Sequence, residues 1–119
     1  MNLIRPLTTF SLLALLLPLS MEATYAEESE VTVTLVRLGG KFSPSPLVVP
    51  VGQKIRLVVD NQDNDAMEFE SASLFWEIVI PPHHKTPIHL TPLTAGNYDY
   101  FNDDNHQEKG IITATASAK

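Results

Sequence analysis

Residues 96–115 read GNYDYFNDDNHQEKGIITAT. The aromatic segment Gly96–Phe101 runs into two amides, two carboxylates and an imidazole (Asn102, Asp103, Asp104, Asn105 and His106), and the apolar run Gly110–Thr115 follows. Aromatic and β-branched residues suit a pleated, half-buried surface, whereas Asn and Asp favour turns, so the stretch reads as two strands around a polar loop. The same loop offers carboxylate oxygen and imidazole nitrogen, the donors that hard and borderline cations prefer. Composition alone leaves a polar turn and one side of a metal site both open.

Outward from this stretch the pattern is of period two. Val31–Leu38 alternates and is rich in β-branched residues, and Gly39-Gly40 ends it. Phe42 and Leu47–Val49 flank the SPSP segment, whose prolines predict an extended piece near a sheet edge. Lys54–Val59 places Ile55, Leu57 and Val59 on one face, and the DNQDND run, residues 60–65, reads as a loop. Met67–Ser71 alternates Met67 and Phe69 with Glu68 and Glu70. Trp76–Ile80 and Thr86–Leu90 complete a set of about eight short strands, and no helical period is sustained. Such spacing predicts an antiparallel β-sandwich.

The first 26 residues carry a different signal. Arg5, the apolar run Phe10–Leu17 and the small residues Thr24 and Ala26 form a positive start, a short apolar centre and a small-residue exit. This is the pattern of a secretory signal. Its apolar part is shorter than the roughly 20 residues of a membrane span, and Pro18 interrupts it. We therefore expect cleavage after Ala26, a single domain over residues 27–119, and no membrane anchor after cleavage. Cleavage removes Arg5 and Glu22 and leaves the net charge at −6. Such an acidic balance disfavours nucleic acid as a partner. There is no cysteine, which removes disulfides, thiolate nucleophiles and thiolate ligands together.

No G-x-S-x-G elbow and no glycine-rich phosphate loop is present, so the chain is not expected to be an enzyme. Metal binding is the stronger chemistry. Glu68, Glu70, Asp103, Asp104 and His106 are the candidate ligands. A solvated strand face explains Glu68 and Glu70 equally well. His83 and His84 follow Pro81-Pro82 in a turn and are expected in solvent, His89 points outward between Ile88 and Leu90, and Met67 joins Phe69 in the core.

The segments KFSPSPLVVPVGQKIRLVVDNQDNDAMEFES, EIVIPP, HLTPLTAGNYDYF and KGIITA together resemble cupredoxin-like domains, above all the periplasmic cupredoxin-type domains linked with bacterial iron permeases. The resemblance runs from Lys41 onward and implies a Greek-key sandwich with a metal site at one end. By position it places Glu68 at an acidic ligand position, Asn102 where a blue-copper protein has its cysteine, and Asp103 and His106 in the ligand loop. It also implies a periplasmic location and an iron permease or another metal-transport component as partner. His83 stands where the family usually has Gly. Without a thiolate the implied ion is Cu(II) or iron in a non-blue site. A metal-free sandwich serving as a protein-interaction module is the alternative.

Overall fold

The computed structural model describes residues 2–4, 13–24 and 29–116. The cleavage point after Ala26 lies outside the described residues. Residues 2–4 and 13–24 carry no helix or strand, and no helix among the described residues is long and apolar enough to cross a membrane.

Nine strands follow one another: β1 (Val31–Leu38), β2 (Lys41–Ser43), β3 (Leu47–Pro50), β4 (Ile55–Asn61), β5 (Met67–Ser71), β6 (Trp76–Ile80), β7 (Lys85–Leu90), β8 (Gly96–Asn102) and β9 (Asn105–Thr115). They form two facing sheets, ordered β2-β1-β4-β7 and β3-β9-β8-β5-β6. Most neighbours are antiparallel, while β1 with β4 and β3 with β9 run parallel. The SPSP segment takes the chain from an edge of the first sheet to an edge of the second. Edges are where prolines cost no ladder hydrogen bond.

Alternation decides which side chains meet between the sheets. Leu35, Ile55, Leu57, Val59, Met67, Phe69, Ile80 and Ile112 are fully buried, each contributing about 1.5–3 kcal/mol relative to exposure. Tyr100 packs against Phe42 and Phe69, with ring centroids 5.1 Å away in both cases. Its phenol lies over Gly110 on the paired strand, where any side chain would collide with it. This core anchors the β8–β9 hairpin and therefore the loop at its tip.

That loop is tighter than the sequence pattern implies. The second strand begins at Asn105 rather than near Gly110, so only Asp103 and Asp104 form the turn. Polar residues extend the strand because one side of the hairpin faces water. Between Phe101 and Asn102 the register jumps, with Phe101 facing Lys109 and Asn102 facing Asn105. Residues 106–108 thus bulge out of the ladder, while Glu108 keeps the inward parity of Gly110 and Ile112.

Candidate metal centre

Asn102 organises the hairpin tip. It is 1% exposed, and its Oδ1 accepts from the Glu68 backbone N–H at 3.1 Å and from the Asp104 N–H at 3.1 Å. The second bond is an Asx-type turn contact, a local reason for Asn before a two-residue turn. Its Nδ2 donates to Glu108 Oε2 at 3.0 Å. The Asp103 N–H donates to the Glu68 carbonyl at 2.8 Å, so the turn is tied to β5.

This tie brings carboxylates together on the outer surface. Glu68 faces Val79 and Glu70 faces Glu77 across β5 and β6. Glu68 and Glu77 are thus diagonal neighbours on one face. A hydrogen bond with Glu77, then desolvation, then the negative charges of Glu77, Asp103 and Asp104 lift the Glu68 carboxyl to about 7. His106 Nε2 lies 2.8 Å from Asp103 Oδ1, and its ring meets the Phe101 ring edge-on at 4.9 Å.

Four of the five expected ligands thus gather at the tip in two linked groups, Glu68 with Asp103 and Asp104, and Asp103 with His106. Glu70 lies on the same face two residues further from the turn, opposite Glu77 on one side and Phe101 on the other. Among the described residues no three His, Asp or Glu side chains converge on one point as an ion cage. The other histidines are exposed and locally bonded: His83 to Asn64, His84 to the Pro82 carbonyl and His89 to Glu30. His83 has φ 57°, a left-handed conformation that favours glycine. The backbone thus keeps the shape implied by Gly at that position although His fills it.

Two residues escaped the sequence reading. Glu77 is recognisable only once β5 and β6 are paired, although the short connection between them points to a hairpin that sets Glu70 opposite Glu77. Arg37 is the larger omission. It shares strand parity with Val33 and Leu35 and is 2% exposed between the sheets. Its Nε and Nη2 donate to Glu108 at 2.8 and 3.0 Å, and Nη1 and Nη2 donate to the Asp65 carboxylate at 3.1 and 3.2 Å. Nη1 also reaches Asn61 Oδ1 at 3.2 Å, and Asp63 lies 3.4 Å from Nε. Asp63 in turn accepts the Gly39 and Gly40 N–H groups, both at positive φ. The guanidinium holds the Glu108 and Asp65 carboxyls below their ordinary values.

A family model for cupredoxin-like domains matches residues 9–114. The chain belongs to the cupredoxin-like domain family. An uncharacterized protein of Rickettsia prowazekii (strain Madrid E) is 43% identical over 63 residues, covering 53% of this chain and 50% of that protein. This chain therefore spans about half the length of that curated relative. Among solved structures, the metal-binding domain of the Cu(I)-exporting P-type ATPase CopA of Streptococcus pneumoniae aligns with TM-score 0.61 at 13% identity, over 76% of this chain and 99% of that one. Auracyanin A, a blue copper protein of Chloroflexus aurantiacus, aligns with TM-score 0.60 at 15% identity, over 73% and 100%. A copper-binding protein solved in its apo form gives TM-score 0.63 at 16% identity, over 76% and 93%. Likeness at these identities shows the fold.

The donors of this cupredoxin-like domain do not fit an interior copper held by a thiolate. Cysteine is absent. Asn102, at the position the resemblance assigns to cysteine, spends both ends of its amide on Glu68, Asp104 and Glu108. Directly behind Glu108 stands a guanidinium, which would repel a metal cation. The outer carboxylates, by contrast, have the right chemistry for a cation bound through oxygen.

Proposed function

We propose that this cupredoxin-like domain is an exported, periplasmic protein that binds Cu(II) or iron through oxygen and imidazole donors at the β8–β9 tip and passes the ion on without catalytic turnover. The observation that carries this reading is the bond between the Asp103 N–H and the Glu68 carbonyl, which sets the Asp103–Asp104 turn beside Glu68 and Glu77 with His106 hydrogen-bonded to Asp103. A cation placed there relieves the repulsion that raises Glu68's proton affinity. A carrier of this kind suits an iron permease or another metal-transport component as partner, to which the ion is handed.

The test is titration of the purified protein with Cu(II) and Fe(III), read by calorimetry and electron paramagnetic resonance. A Glu68→Ala, His106→Ala variant is expected to bind at least about tenfold more weakly, a loss of about 1.4 kcal/mol. Equal affinity in the two proteins would overturn the assignment. Because protons compete for the same donors, affinity falls as the pH drops from about 7.5 to about 5.5. The copper form is expected to lack the intense visible band of a copper–thiolate bond.

One observation favours the alternative of a metal-free interaction module: the tip side chains do not converge on one point. That reading predicts no measurable binding of either ion in the same titration.

A further inference from the structure

The family resemblance implies a metal site at the end of the sandwich that carries the β8–β9 tip. Here the same end is joined by a side chain. Arg37 on β1 has five N–H groups, and each has an acceptor: Nε on Glu108, Nη2 shared between Glu108 and Asp65, and Nη1 shared between Asp65 and Asn61. Glu108 belongs to the opposite sheet, Asn61 to β4 beside β1, and Asp65 to the crossover that leads into β5. Two of the contacts are bidentate forks, a geometry that a planar guanidinium supplies and an ammonium does not.

We propose that Arg37 is the built-in cation of this domain, closing from inside the end of the sandwich where the family's ion would sit and excluding a metal from that interior position. Three carboxylates, Asp63, Asp65 and Glu108, and the amide oxygen of Asn61 surround the guanidinium, and Asn102 in turn donates to Glu108. The acceptors are spread along the planar guanidinium rather than gathered on one point, so one permanent positive charge meets several negative groups where a spherical ion would not. Glu108 also carries the bond to Asn102, so the guanidinium holds the residue that shapes the β8–β9 tip. Gly40 belongs to the same fit, since a side chain there would press on Glu108 Oε1 at 2.9 Å. The domain therefore reaches its folded geometry with no metal in its interior. Any ion it carries binds outside this cluster and exchanges without unfolding it.

The experiment removes the cation and offers it back. Arg37→Ala is expected to lower the thermal midpoint by about 12 °C or more, because it empties a buried position and leaves the largely covered Glu108 and Asp63 carboxylates without their cation. Low-millimolar guanidinium chloride should raise the midpoint of this variant above that in the same concentration of sodium chloride, while giving the unaltered protein no gain. A variant that melts near the unaltered protein, or that gains nothing from guanidinium, overturns the proposal. If Arg37→Ala does not fold, a companion variant combining Arg37→Leu, Asp65→Asn and Glu108→Gln decides the matter. It folds and outlasts Arg37→Leu alone if the deficit is one of charge, and failure to do so overturns the proposal. The outer carboxylates enter none of these readouts, so the Cu(II) and Fe(III) titration succeeds or fails separately.

Discussion

Glu68, through its backbone N–H, and Glu108, through its carboxylate, are both bonded to Asn102 at one end of one sandwich, and their carboxyls are pushed in opposite directions. Glu108 points inward onto Arg37, and its carboxyl is held below the ordinary value. Glu68 points outward among Glu77, Asp103 and Asp104 and is lifted to about 7. Desolvation raises both, so the opposite outcomes come from the sign of the neighbouring charge. The inner group has its cation built in. Among the described residues no cation is bonded to the outer group, which is why we look for a bound ion there and not inside.

Breaking the link between the two sides should have the largest effect. Asn102→Ala removes the acceptor for the Glu68 and Asp104 N–H groups and the donor to Glu108, and is expected to destabilise the protein by about 2 kcal/mol in urea unfolding. A loss within experimental error would show that the two sides are held independently. A smaller effect sharpens the outer side alone. Glu77→Gln should return the Glu68 carboxyl toward its ordinary range, as followed by carbon-detected NMR titration. A group whose pKa rises on folding adds stability that is complete below the unfolded value and disappears as the pH climbs through about 7. The unaltered protein should therefore lose stability between about pH 4.5 and 7.5 through Glu68, and Glu77→Gln should flatten that slope. An unchanged Glu68 titration would mean that Glu77 is not the dominant neighbour. Least affected should be Glu70→Gln, which lies two residues further from the turn. Stability should stay within about 0.5 kcal/mol, and Cu(II) affinity should hardly change by calorimetry. A clear loss of binding would show that Glu70 is a ligand.

Much of the fold is legible in the residues themselves. Met67–Ser71 and Trp76–Ile80 have the boundaries that their alternation implies, and Ile55, Leu57 and Val59 are buried on their common face. The SPSP segment lies at sheet edges, as two prolines require. The β8–β9 turn is shorter than polarity implies, because Asn105–Gln107 read as loop while the strand runs through them across a bulge. Within the site, Glu68, Glu70, Asp103, Asp104 and His106 are legible as oxygen and nitrogen donors, but the bond that ties Asp103 to Glu68 is not. That bond depends on how β5 pairs with β8, which alternation does not encode.

What this chain's residues determine alone is local. They dictate the strand faces through a period of two, the exclusion of any thiolate site through the lack of cysteine, and the bend at Asn102 through an amide that can bond its own backbone two residues on. Arg37 shows where that reach ends. Its parity with Leu35 marks it as inward, and Glu108 shares the inward parity of Gly110 and Ile112, yet the two are 71 residues apart and meet only when the two sheets pack. Glu77 reaches Glu68 only through the register of β5 and β6. Facing is a property of each strand, but neighbourhood belongs to the pairing of strands. In this protein the tertiary structure therefore decides which carboxylate finds a cation within the chain and which is left without one.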